Sequence, residues 1–178
     1  MAKRTFPLKR VYQLLEPGPV LLLTTEQDGR ANVMTMSWHT MMEFEPPLVG
    51  CVVSARNHSF TALRETGQCV LNIPTIDLAP MVVACGNNSG RDLDKFERYG
   101  LARQTATKVA PPLLTDCYAS LECKVKDMDM VERYNFFVLQ VVKAWIDPAH
   151  KDPRTLHHRG YGSFMMAGTT MALPSDMP

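Results

Sequence analysis

The chain has 178 residues, 46% of them hydrophobic and 21% charged, with a formal net charge of +1. Such a chain can bury a proper core, and its scattered basic residues lack the stripe that nucleic-acid binding needs. No apolar run approaches the roughly 20 residues that cross a bilayer, and Met1 to Lys9 leads into no signal-type apolar core. The expectation is a single cytoplasmic domain over residues 1–178, with neither nucleic acid nor membrane as partner.

Val20 to Thr25 reads as a buried strand, and Asp28-Gly29 as a hairpin signal. Asn32 to Trp38 returns as the second strand. In extended chain, Asn32, Met34, Met36 and Trp38 share one face, and Val33, Thr35 and Ser37 the other. Pro46-Pro47 punctuates the chain before a third strand, Leu48 to Ser54. Ser59 to Glu65 suits a short helix ended by Gly67. Gln68 to Ile73 is a fourth strand, stopped by Pro74. Asp77 can cap a helix through Ala84, and Asp94 to Tyr99 forms one or two helical turns. Ala119 to Lys126 alternates as a half-buried strand should. Asp127 to Asn135 is a charged turn, Phe136 to Ile146 a long β-rich run, and Gly160 to Gly168 an edge strand. Six or seven short strands with a few short helices favour a mainly β barrel over a doubly wound sheet. No GxGxxG or P-loop is present.

Five cysteines, at 51, 69, 85, 117 and 123, show no CxxC spacing and leave one unpaired in any disulfide scheme. Cys51 and Cys69 read as core thiols. His157 and His158 point to opposite sides of an extended chain, so no metal site is assigned. No catalytic triad can be read from spacing, and no catalytic residue is assigned.

Three segments could carry chemistry. Asn32 to Ser37 mixes Asn, Thr and Ser with Met, a pattern suited to a flavin's polar edge and equally to a barrel strand with a satisfied polar lining. Ser54 to Ser59 joins hydroxyls, a guanidinium and an amide at a helix start. That is a phosphate cradle, or ordinary capping by Asn57 or Ser59 with Arg56 and His58 solvated. Cys85-Gly86 leads through a polar loop, Asn87 to Gly90, to Lys95. That lysine is a cation for an anionic cofactor or a solvated surface group.

These segments, in this order, resemble the flavin reductase-like, FMN-binding split β-barrel family, which includes flavoredoxin and the small reductase components of two-component monooxygenases. The resemblance rests on Gly18 to Thr25, Asn32 to Trp38, Pro46 to Gly50, Ser54 to Ser59, Glu65-Thr-Gly with Val70 to Pro74, Gly90-Arg-Asp with Asp94-Lys-Phe96, and Leu121 to Lys124. It implies FMN at a homodimer interface. Asn32, Val33, Met34, Thr35, Met36 and Ser37 would contact the ring and ribityl chain. Ser54, Arg56, Asn57, His58 and Ser59 would surround the phosphate. Cys85, Gly86 and Lys95 would approach the flavin, and Tyr161 would lie near its outer face. Glu132 to Asn135 stands where monooxygenase-partner reductases carry a Gly-Asp-His-type segment, which looks more like the flavoredoxin branch. The activity implied is NAD(P)H:flavin reductase, with NADH or NADPH as donor, or electron transfer to a redox partner protein. A non-catalytic FMN-binding or flavin-sensing module is the alternative. One phosphate cradle without a second pyrophosphate motif predicts FMN over FAD.

Overall fold

The computed structural model describes residues 2–175. An antiparallel sheet of eight strands forms the body. Its strands are β1 (Arg4–Phe6), β2 (Leu21–Gln27), β3 (Arg30–Met36), β4 (His39–Phe44), β5 (Pro47–Val52), β6 (Gln68–Ile73), β9 (Ala119–Asp127) and β10 (Phe136–Ile146). Two strand pairs stand apart, β7 (Arg103–Gln104) with β8 (Leu113–Leu114) and β11 (Leu156–Gly160) with β12 (Ser163–Met166). The sheet runs β3-β2-β6-β9-β10-β5-β4, and β3 and β4 are not paired with each other. The curled sheet is therefore split at this seam. The β10 strand carries β5 on its first half and β1 on its last, with β9 on the other side. Register shifts between β9 and β10 mark bulges, which bend a sheet toward closure.

The apolar run in β2 is continuous because both its faces are buried. Leu21 and Leu23 point into the barrel with Leu71, Leu121 and Phe137. Val20, just before the strand, and Leu22 face outward with Val33, Val82 and Phe96, under the helices α3 (Ala79–Asn87) and α4 (Lys95–Tyr99). The helix α2 (His58–Thr66) closes one barrel end with Phe60 and Leu63, and Phe60 meets Phe137 edge-on at 5.6 Å. Gly67, at φ 64°, ends it as expected. The Asp28-Gly29 hairpin also holds, with both residues at positive φ. Two four-residue helical turns complete the set, α1 (Tyr12–Leu15) and α5 (Val131–Tyr134).

Several expectations need correction. The second strand ends at Met36, and the chain turns at Ser37 and Trp38 into β4. The third strand starts at Pro47 and stops at Val52. Asp77 does not cap α3: it lies in a 3-10 turn over Ile76–Leu78, and Leu78 precedes the helix. Residues 160–168 form no single strand but the end of a hairpin, β11–β12. All five cysteines are buried and free. No helix among the described residues is long and apolar enough to cross a membrane.

Candidate functional site

The unpaired edge of β3 lies in a groove walled by the start of α2, the end of α3 and the loop before α4. Three linked cavities follow it. The middle one, about 250 Å³, is lined by Asn32, Met34 and Thr35 from β3, and by Arg56, Asn57 and His58 at the α2 start. Cys85 and Gly86 of α3, the loop from Asn87 to Gly90, and Lys95 close it. A second, about 240 Å³, shares Thr35, Gly86 and Asn87 with it and adds Ser37, Val82, His158 and Phe164. A third, about 370 Å³, shares Asn32, His58 and Gly90 and adds Arg30 and Arg91.

The strand presents mixed chemistry because it is an edge. Met36 points into the barrel core, and Met34 packs against that core. Val33 is buried toward α3, and Thr35 Oγ1 donates to the Val82 carbonyl of α3 at 2.5 Å. Asn32 is held from behind: its Nδ2 donates to the buried Ser59 Oγ at 2.9 Å, and Thr25 Oγ1 donates to the same oxygen at 3.1 Å. Ser59 is thus a buried brace for the groove. Ser54 caps its own turn, its Oγ accepting from Arg56 N at 3.3 Å, and it lines none of the three cavities. Asn57 precedes α2 but makes no side-chain capping bond, which leaves its carboxamide for the groove.

Lys95 is buried, with 3% of its surface exposed. Its Nζ donates to the Val33 carbonyl at 2.8 Å and the Cys85 carbonyl at 2.7 Å. The first carbonyl belongs to the free edge of β3, and the second to the last turn of α3, where carbonyls lack helical partners. Asp94 positions the lysine by capping α4, accepting from Phe96 N at 2.8 Å and Glu97 N at 3.2 Å. Burial lowers the Lys95 pKa, and the nearby Cys85 thiol opposes that shift. Among the described residues, no carboxylate forms an ion pair with Lys95, Arg30, Arg56 or Arg91. The solvated reading of Lys95 is therefore corrected.

Burial, then Arg91, Lys95 and Arg30, lower the pKa of His58, while Asp92 raises it. An imidazole that starts near 6.5 and moves down is neutral at physiological pH. Burial raises the Cys85 thiol despite Lys95, so it stays protonated and is no thiolate nucleophile. Tyr161 sits fully exposed at the tip of the β11–β12 hairpin and lines none of the three cavities; its neighbours His158 and Phe164 do.

Arg30 and Arg91 escape the sequence reading. One signal for the second was available: the glycine before it. A Cβ at Gly90 would overlap the Asn32 carboxamide and the His58 ring. Only glycine lets this loop close on β3 and α2, and that approach carries Arg91 to the groove.

Residues 14–165 match the model of the flavin reductase like domain. The Escherichia coli protein YddH is 32% identical over 175 residues, spanning 90% of this chain and 93% of that protein. An FMN-binding domain of a flavin reductases-like enzyme from Shewanella baltica superposes at a TM-score of 0.89 and 24% identity, covering 97% of this chain and 98% of that one. Flavoredoxin of Desulfovibrio vulgaris (Miyazaki F) superposes at 0.78 and 20% identity, covering 88% and 90%. At these identities the two structures speak for the fold alone. With its split barrel and a family match over most of its length, this chain belongs to the flavin reductase like domain family.

Proposed function

We propose that the chain, as one flavin-binding unit, holds FMN in the β3 groove and serves as an FMN-dependent oxidoreductase. One observation carries this reading: a buried lysine with no carboxylate partner lies in a groove with Arg56 and the α2 start. A buried cation is costly unless an anion or hydrogen bonds compensate it. The residues fit the group. Arg56, Asn57 and His58 would hold the phosphate, aided by N–H groups at the start of α2. Asn32 and Thr35 offer polar contacts to a heteroaromatic edge, and Met34 an apolar one. Bound FMN would supply the hydride or single-electron chemistry, and the protein its binding and orientation.

Two versions of the activity follow, a reductase fed by NADH or NADPH and a flavoredoxin-like carrier serving a redox partner protein. Five free buried thiols suit a reducing compartment, which supports a cytoplasmic setting. The test is the absorbance spectrum of the purified chain, followed by anaerobic NADH and NADPH titration. A yellow protein bleached by one nucleotide is the expected reductase result. Bleaching by a reduced partner protein alone points to the carrier, and FMN bound without reduction by any donor to a sensing module. A chain that binds no FMN sinks the reading.

Arg56→Ala should weaken FMN far more than riboflavin. A charge-assisted hydrogen bond contributes about 1.5–3 kcal/mol, roughly a tenfold to hundredfold loss. Equal losses for both ligands, measured by fluorescence quenching, would remove Arg56 from the phosphate.

A homodimer is part of the proposal. Trp38, 71% exposed, adjoins β4, where Phe44 is 54% exposed. Large aromatic groups beside an unpaired strand edge suit a protein interface. Trp38→Glu should yield a monomer with weakened flavin binding, because flavin touching both chains links binding to association. Sedimentation with and without FMN checks this, and a monomer with full affinity contradicts it.

A further inference from the structure

We infer that His39 and His157 clasp Gly18-Pro19 and so hold the β11–β12 hairpin against the barrel, and that a proton taken up by His39 releases it. His39 opens β4, and its Nε2 lies 2.7 Å from the Pro19 carbonyl oxygen. His157, in β11, places Nδ1 3.1 Å from the Gly18 carbonyl oxygen. A carbonyl only accepts, so each imidazole carries its proton on the nitrogen that faces it. Gly18 sits at φ 72°, a turn that glycine makes without steric cost. The two rings differ in what a second proton would meet. His157 Nε2 faces Thr155 Oγ1 at 3.0 Å, and a hydroxyl can accept as well as donate. His39 Nδ1 is the one buried side-chain nitrogen or oxygen among the described residues that has no hydrogen-bond partner. A proton there would be a buried charge without an acceptor, which is costly.

Burial lowers the His39 pKa, the Pro19 carbonyl opposes that shift, and no charged group takes part. Cys51, opposite it on β5, is kept protonated by burial. The clasp is therefore complete above the ordinary imidazole value of about 6.5 and is lost as pH falls below it. The hairpin has few other ties. Val20 N donates to Leu156 O at 2.7 Å and Ile76 N to Arg154 O at 2.8 Å, and Thr155 bridges Thr75. These bonds fix its base. From His158 to Met166 no hydrogen bond reaches the barrel among the described residues, and Phe164 packs on the outer apolar cluster. Yet His158, Gly162 and Phe164 wall the cavity of about 240 Å³. Freeing Gly18-Pro19 loosens the Val20 pairing beside it and opens that wall. The inference holds whatever the groove binds.

The test is amide hydrogen exchange of the full-length chain at about pH 7.5 and about pH 5.5, corrected for the intrinsic exchange rate. The amide of Val20 and those of residues 156–166 report on the hairpin, and β6 serves as the reference. One proton uptake should cut hairpin protection by about threefold to tenfold over that range, with β6 unchanged. His39→Gln keeps an N–H donor for Pro19 O and cannot titrate, so its hairpin should stay protected at both values. His157→Gln should retain the pH response. Equal wild-type protection at both values overturns the inference. So does a response that survives His39→Gln, or one that only His157→Gln abolishes. Where His39→Gln leaves the hairpin loose at both values, ring-nitrogen NMR of the wild-type chain decides. His39 should carry its proton on Nε2 at the higher pH and titrate together with the hairpin amides. A His39 that titrates while those amides stay protected overturns the inference.

Discussion

Raising the pH from 9 to 11 should strongly destabilise this chain. The cause is a set of buried acids that the folded state keeps protonated. Burial raises the Cys117 thiol from 9.0 to about 12 and the Tyr118 phenol from 10.0 to about 12. Burial also raises Cys51 and Cys85. A hydrogen bond with Cys123, then burial, raises Cys69. Each folded pKa lies above its unfolded value. The stability these groups contribute is therefore complete below about pH 9 and falls as pH climbs toward the folded values. Each tenfold change in proton affinity is worth about 1.4 kcal/mol, so Cys117 alone accounts for about 3 kcal/mol by pH 11. Total stability for a domain of this size is about 5–15 kcal/mol, so losses of this size at several groups weigh heavily against it. Lys3 acts in the opposite sense. Burial lowers it from 10.5 to about 8, so the unfolded chain binds the extra proton and stability rises between those values. The thiols outnumber it. Urea midpoints measured from pH 7 to 11 should peak near pH 8–9 and then drop. Cys117→Ala should flatten the alkaline limb, and a wild-type midpoint unchanged from pH 9 to 11 would refute the account.

The second large effect is expected at Lys95. Lys95→Met keeps most of the side-chain volume and removes both bonds, to Val33 O and Cys85 O. Leaving a buried acceptor unpaired costs about 1–3 kcal/mol. Relief of the buried charge offsets part of that, so the net loss should be about 2–4 kcal/mol in urea denaturation. The same change unties α3 from the edge of β3 and removes the groove's buried cation. FMN affinity should then fall by more than about tenfold. A variant with wild-type stability would show that neither carbonyl depends on the ammonium group. Wild-type FMN affinity would separate the lysine from flavin binding.

Much of the barrel was legible because its strands bury what their patterns display. Leu21 to Leu23 are apolar on both faces and buried on both. Phe137, Leu139 and Val141 alternate into the core from β10. The missed strands carry weak signals for a physical reason. Of the β1 residues only Phe6 is buried, and β4 is an edge whose Met42, Glu43 and Phe44 face outward. Nothing local marks such segments as strands, since their pairing partners decide it.

The groove was legible in pieces. Asn32, Met34, Thr35, Arg56 to His58, Cys85-Gly86 and Lys95 do converge on one cavity, while Val33 is buried toward α3. Local pattern alone left each of them ambiguous, and the family resemblance brought them together. Burial of Lys95 could not be read from Asp-Lys-Phe, because β3 and α3 supply the cover from distant sequence. Tyr161 lines none of the three cavities. Its hairpin does reach the groove, yet its own backbone, at φ 50°, turns the ring outward at the tip.

The closure of β10 has a kinetic consequence. Arg4 pairs with Ile146, and Phe6 with Ala144, so β1 must wait for the last long strand before it finds a partner. The first half of β10 must likewise reach back to β5, pairing Phe136 with Val52. Pairings this far apart in sequence raise contact order, and chains rich in them fold slowly. During synthesis, β5 emerges long before its partner, and its open edge stays exposed until β10 leaves the ribosome.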